Sequence, residues 1–270
     1  MKQLATGQFF GQTNATIDLG GLILTDTEYT QDKVDWHYHE NAYFTFILQG
    51  NVIERNKKED YYCSAGTLLF HNWQEPHYNI KPKGFTRGFH IEIEQNWLQN
   101  YLLDLNMLQG SVSISNPDLK IWMYKIFRET KINDAITTLS IQEQLLKTFS
   151  HMQHTRENET TGTPAWVKKV KELLHDQYAE KNSLAALSAI AGIHPVHLSR
   201  GFSKYFHCTM GDYIRKLRIE KSLSMLPDRE NALTDISFEC GFADQSHFNR
   251  CFREIVGVNP MAYRKILRGQ

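Results

Sequence analysis

The sequence predicts two domains: an N-terminal antiparallel β-barrel with trailing helices, then an all-α domain holding two helix-turn-helix units. Three observations carry that expectation. The first hundred residues show short apolar strands punctuated by Gly and Pro, the texture of an antiparallel barrel or sandwich. His154–Pro164 (HTRENETTGTP) is polar, contains Gly and Pro, and shows no hydrophobic period, so it reads as a linker. Beyond it, HLSRGF at His197–Phe202 returns as HFNRCF at His247–Phe252, fifty positions on. Such a period marks one supersecondary unit built twice. The expected boundaries are residues 1–155, a linker at 156–164, and residues 165–270.

In chain order, Trp36–Asn51 alternates loosely and closes at Gly50, and Val52–Arg55 continues as a strand. Gly66–Phe70 and Phe85–Ile93 are further short strands. Two helices follow, about Pro117–Thr130 and Leu139–His154, the second striped by Ile141, Leu145, Leu146 and Phe149. A stripe reports burial and not the partner, so it serves equally for packing on the barrel or on a second copy of the chain.

Past the linker, Thr163-Pro164 reads as a helix start, because proline at the first helical position leaves no amide unpaired. Trp166, Val167, Val170, Leu173 and Leu174 then form a stripe suited to covering the first unit. That unit comprises Ala185–Ala191, Gly192 as the reversal, and a helix with Leu198, Phe202 and Tyr205 on one side. Val196, Ser199, Arg200 and Ser203 lie on the other. Met210–Leu226 is a single connecting helix with Met210, Tyr213, Ile214, Leu217 and Leu223 inward. The second unit repeats the pattern: Leu233–Cys240, Gly241, then Phe248, Phe252 and Ile255 inward, with Ser246, Asn249, Arg250 and Arg253 outward. Gly201 is an irregularity, since an interior helical glycine costs about 1 kcal/mol relative to alanine.

The stretch Ile236–Arg264 (ISFECGFADQSHFNRCFREIVGVNPMAYR) carries GF, a QS-x-F core and F-x-x-x-x-G-x-x-P-x-x-Y-R. With these spacings, Ser183–Arg264 resembles the DNA-binding domain of the AraC/XylS family of bacterial transcription regulators. The first unit departs from the family pattern at Ser188, where alanine is usual, and at His207, where the family has the glycine that Gly257 supplies in the second copy. The resemblance implies recognition helices in successive major-groove turns of duplex DNA. It gives Arg200 and Arg250 a guanine edge or a phosphate, Gln245 and Asn249 an adenine, and Val196 a thymine methyl. Lys204 and Arg253 then hold phosphates, His197 and His247 serve equally as phosphate contacts or as packing residues beside the apolar stripe, and Ser199 and Ser246 complete the two faces. The N-terminal layout, with Gly66 and Pro76-His77 at its turns, resembles the cupin-like effector domain of sugar-responsive members. That likeness implies a small-molecule effector, a homodimer, and RNA polymerase as partner of an activator.

His37-x-His39 places two imidazoles on one strand face, where His77 could join them on an ion. Metal-binding cupins add a glutamate four or five residues on, but Tyr43 and Phe44 stand there, and Glu40 comes too early and on the opposite face. The expectation is therefore no metal and no cofactor. His37, His39, Tyr43, His77, Tyr78 and His90 instead line a pocket for a small polar effector. The competing reading is a metal-binding cupin sensor or enzyme fused to a DNA-binding domain.

Composition fits this scheme. The 270 residues carry zero formal net charge, which averages 13 basic and 17 acidic residues over 1–155 (−4) against 17 and 13 over 156–270 (+4). The basic half lies under the repeat, as a nucleic-acid reader requires. Cys63, Cys208, Cys240 and Cys251 form no CxxC pair and suit a reducing compartment. The start lacks a signal-peptide core and no run reaches the roughly 18 apolar residues of a membrane span. A cytoplasmic, non-enzymatic protein is expected.

Overall fold

The computed structural model describes all residues except 102, 104–109, 133, 161 and 269–270, and for 155–160 the backbone alone. By internal contacts the chain divides into Met1–Ile141 and Gln142–Gln270.

The first unit holds eleven strands: β1 (Lys2–Leu4), β2 (Gln12–Asp18), β3 (Leu22–Glu28), β4 (Lys33–His39), β5 (Ala42–Gln49), β6 (Asn51–Asn56), β7 (Asp60–Ser64), β8 (Leu68–His71), β9 (His77–Ile80), β10 (Arg87–Ile93) and β11 (Ser111–Ile114). They form a five-stranded sheet, β1-β4-β9-β6-β7, and a six-stranded sheet, β11-β8-β5-β10-β3-β2. Every pairing is antiparallel except β1 with β4. Neither sheet closes on itself, so among the described residues the expected barrel is an open two-sheet assembly. Trp36–Asn51 resolves into β4 and β5 with a reversal at Glu40-Asn41.

Central β5 (AYFTFILQ) is buried almost throughout, which is why it reads as a continuous apolar run. Short α1 (Gln95–Asn100) follows β10, and α2 (Pro117–Ile132) places Tyr124 edge-on against Phe46 and Phe127 against Phe89. At its far end Lys131 meets Asp26, which also takes a two-pronged bond from Arg87, so one buried carboxylate joins β3, β10 and α2. Burial alone would raise the Asp26 pKa; the Arg87 and Lys131 hydrogen bonds outweigh it and hold it below the usual value. α3 (Thr137–Thr160) buries Ile141, Leu145, Phe149 and Met152, and it continues through the first residues of the expected linker.

The second unit is helical: α4 (Ala165–Asp176), α5 (Leu184–Ala191), α6 (Pro195–Phe206), α7 (Met210–Met225), α8 (Leu233–Glu239), α9 (Gln245–Val256) and α10 (Pro260–Arg268). Pro164 is the N-cap of α4 and not its first helical residue, with φ −58° and ψ 140°. Val170 and Leu174 of α4 enter one core with Leu187, Leu198, Phe202, Tyr213 and Leu217, so α4 does cover the first helix-turn-helix.

The two units end their second helices differently. Gly257 closes α9 at φ 92°, whereas His207 closes α6 at φ 55°. A residue with a Cβ in that left-handed conformation carries about 1–2 kcal/mol of steric cost, so the departure from the family pattern is a strained cap. Gly201 has a packing reason: a Cβ there would lie 2.8 Å from the Trp166 indole, which rests on α6. The helix propensity lost at this glycine is exchanged for the seat of α4.

Arg218 of α7 was not singled out by the sequence. Its guanidinium donates to the carbonyls of Tyr178, Ala179 and Glu180 after α4 and to that of Gly241 after α8. One side chain thus pins a turn beside each helix-turn-helix unit to the connecting helix.

Candidate effector pocket and DNA-reading face

Between the two sheets of the first unit lies a cavity of about 470 Å³, counted with its open mouth. Alternation on β4 turns His37 and His39 to the same side, and β9 sets His77 directly opposite His37. β5 adds Tyr43 and Thr45, β6 adds Glu54, and β10 adds His90. Phe9 and Phe10, from the segment between β1 and β2, line the remaining side. Phe9 stacks on His90 with ring centroids 3.8 Å apart and lies 4.7 Å from the His39 ring.

The hydrogen bonds fix much of the proton placement. His37 Nδ1 donates to the Asp35 carbonyl at 2.9 Å and His77 Nδ1 to the Glu75 carbonyl at 3.0 Å. A carbonyl only accepts, so both rings hold their proton on Nδ1 and keep a lone pair on Nε2. Tyr43 Oη lies 3.2 Å from His77 Nε2 and donates to it. His90 bridges Thr45 Oγ1 and Tyr29 Oη, each at 3.2 Å. Behind Tyr43, the His71 ring stacks at 4.4 Å, and its Nδ1 lies 2.9 Å from Ser111 Oγ and 3.4 Å from Glu54 Oε1.

Burial sets the charge states. It pushes His77 and His90 down to about 3 and holds His37, His39 and His71 below the usual histidine value, with neighbouring imidazoles adding to the effect at His39, His71, His77 and His90. Burial likewise raises Glu54 to about 8. At neutral pH these five histidines and Glu54 are therefore uncharged, and the Glu54–His71 approach is not an ion pair. His39 Nδ1 and His71 Nε2 are buried without a hydrogen-bond partner among the described residues.

Five of the six expected pocket residues line or enter this space: His37, His39, Tyr43, His77 and His90. Tyr78 does not. With His77 facing inward, period-two alternation turns Tyr78 to the outer face, where it accepts from Arg55 and packs 4.9 Å from Trp36. Thr45, Glu54, Tyr29, Phe9 and Phe10 were missed. Glu54 was reachable by alternation from Val52, but the phenylalanines sit in a segment with no periodic signal.

In the second unit the predicted faces separate. Leu198, Phe202, Phe248 and Phe252 are fully buried, while Val196, His197, Ser199, Arg200, Ser203 and Lys204 are exposed on α6. On α9, Ser246, Arg250 and Arg253 are exposed. Gln245, His247 and Asn249 are half-buried: Gln245 Oε1 accepts from Thr234 at 2.7 Å, the His247 ring meets Phe242 edge-on, and Asn249 Oδ1 is buried. Tyr205 and Ile255 are half-buried, and Cys251 and Val256 complete the α9 core contact. Arg264 is buried and donates to the Asn231 carbonyl, so it is a structural arginine. Asp244 caps α9 by accepting from His247 N at 2.7 Å, leaving the helix start ordered beside this face.

Comparison with known proteins agrees on both halves. The AraC-like ligand binding domain matches residues 19–149, and a helix-turn-helix domain matches residues 187–266. The chain belongs to the AraC/XylS family. The Msm operon regulatory protein of Streptococcus mutans is 26% identical over 277 residues, covering 92% of this chain and 95% of that protein. The HTH-type transcriptional regulator GbdR of Pseudomonas aeruginosa is 22% identical over 165 residues, and the match spans only 45% of its length. The solved structure of ToxT from Vibrio cholerae matches 93% of this chain and 99% of its own at 15% identity, with a TM-score of 0.38. The first two are named as regulatory proteins. Among the described residues, no helix of this family member is long and apolar enough to cross a membrane.

Proposed function

We propose that this chain is a sequence-specific DNA-binding transcription regulator, an activator whose DNA affinity is set by a small effector in the N-terminal pocket. The observation that carries the reading is the pairing of two exposed polar helix faces, α6 and α9, with a cavity in the N-terminal unit lined mainly by uncharged histidines, hydroxyls and aromatic rings. Arg200 and Arg250 are the principal readers, Val196, Ser199, Ser246 and Asn249 complete the faces, and His197, Lys204 and Arg253 hold phosphates. Gln245 and His247 act from half-buried positions at the start of α9. Exposed Ile132, Ile136 and Leu139 around the α2–α3 turn support a homodimer, and RNA polymerase is the partner of an activator in the cytoplasm.

Effector action requires linkage: a ligand that favours one DNA-binding state must itself bind tighter when DNA is bound, or shift nothing. The test is thermal unfolding and DNA affinity of the full chain across a panel of sugars and small organic acids. One chemical class should raise the melting temperature and change DNA affinity together, and Tyr43→Phe or Thr45→Val should blunt both responses. Unchanged melting and unchanged affinity across the panel would overturn the sensing role.

A further inference from the structure

We propose that His37, His39 and His77 bind one divalent transition-metal ion, with Zn²⁺ the best match to the donor set. This deepens the sensing reading above and rests on it for its regulatory meaning, though the coordination argument stands on geometry alone. One ring nitrogen from each of the three histidines lies within 4.8 Å of the others, and all three side chains are buried. Tetrahedral coordination at about 2.0–2.1 Å needs nitrogens about 3.3 Å apart, so any pair has at most about 1.5 Å to draw in.

The bonds around the rings favour coordination. His37 and His77 each tie Nδ1–H to a backbone carbonyl, which fixes the ring and presents the Nε2 lone pair. Metal-ligating histidines use this same outer bond to a carbonyl or carboxylate. His77 Nε2 meets the Tyr43 hydroxyl, a partner that an ion can displace. His39 contributes a buried ring whose Nδ1 has no partner among the described residues, an arrangement that is costly when left unmet.

The missing glutamate does not stand against this site. Glu40 is exposed just past β4, so the ligand set is three imidazoles. Three neutral nitrogens select borderline ions such as Zn²⁺, Co²⁺ and Ni²⁺ over oxygen-seeking Mg²⁺ and Ca²⁺, and leave a fourth position for water or an effector oxygen. The expectation of a metal-free pocket is revised accordingly.

The test is titration of chelator-treated full-length protein with Zn²⁺ and Co²⁺. The expected result is one ion per chain, with Co²⁺ giving the visible bands of a four-coordinate site. His37→Ala and His77→Gln should weaken binding by on the order of 100-fold, and exposed His194→Ala should leave it intact. His77→Gln keeps much of the side chain's bulk and a hydrogen-bonding group, and melting of both pocket variants checks that the fold is retained. Less than one ion bound, or binding undiminished in both pocket variants, would overturn the proposal. The metabolite panel, run in parallel on the chelated protein, separates the two readings. No ion with a retained metabolite response removes the metal site and leaves the sensing pocket. One ion bound, with DNA affinity blind to ion and metabolite alike, keeps the site and removes the sensing role.

Discussion

Phe252→Ala should destabilise the C-terminal unit by about 3–5 kcal/mol, while Arg250→Ala, two residues away, should leave its stability within about 0.5 kcal/mol. The difference follows from the two faces of α9. Phe252 is fully buried, touching Phe248 at 5.6 Å and Tyr263 at 6.1 Å between ring centroids. Removing its ring loses the transfer energy and leaves a cavity that rigid neighbours fill only in part. Arg250 is exposed and away from that core. Its loss should appear instead in specific DNA binding, at about 1–3 kcal/mol for a good base contact. Phe202→Ala and Arg200→Ala form the matching pair on α6, where Phe202 stacks on Phe206 at 4.0 Å. Urea unfolding and DNA titration of the four variants check this. A phenylalanine variant with wild-type stability, or an arginine variant that unfolds, would show the helices to be rotated from these faces.

The N-terminal unit should lose stability steeply below pH 6.5, with His90 a main contributor. Burial is the largest cause of its depressed pKa, about 3; Asp26 pulls the value upward and His77 downward. Tyr29, Thr45 and Phe9 enclose the ring. Because the folded value lies below the unfolded value of about 6.5, the unfolded chain binds the extra proton between the two, and stability rises with pH across that window. The contribution is whole above about pH 6.5 and falls by about 1.4 kcal/mol per unit below it, about 3 kcal/mol by pH 4.5. His71, also buried and depressed, acts in the same direction. His90→Gln should flatten the dependence when melting is followed from pH 7.5 to 4.5. A melting temperature indifferent to pH in that range would contradict the buried neutral state.

Legibility in the sequence tracked the length and regularity of each element. α6, α7 and α9 were readable because their stripes run at helical spacing and their reversals fall at Gly192, Gly241 and Gly257. The repeat places Val196, Ser199, Arg200 and Ser203 and also Ser246, Arg250 and Arg253 on exposed surface, whereas Asn249 of the expected outward face is half-buried. β1, β2, β3 and β11 were not readable. β2 (QTNATID) is polar on both sides and β1 has three residues, so neither offers a strong alternation. The pocket was half legible for a related reason. His37 and His39 sit on one strand and reveal their common side by period alone, while His77 joins them only through the β4–β9 register. Tyr78 was misplaced by one residue of alternation. Phe9 and Phe10 reach the cavity through tertiary folding of a non-periodic segment, and Arg218 acts through carbonyls distant in sequence; local pattern encodes neither.

The most direct test of the account is selection of duplex DNA from a random library by the full-length chain, followed by titration of the selected site across salt concentrations. The account predicts a recovered sequence with two contact blocks one helical turn apart, as α6 and α9 in successive major-groove turns require. It also predicts a log–log salt slope of about −4 to −5, the counterion release of about five phosphate contacts. No enriched sequence, together with a slope near zero, would contradict it.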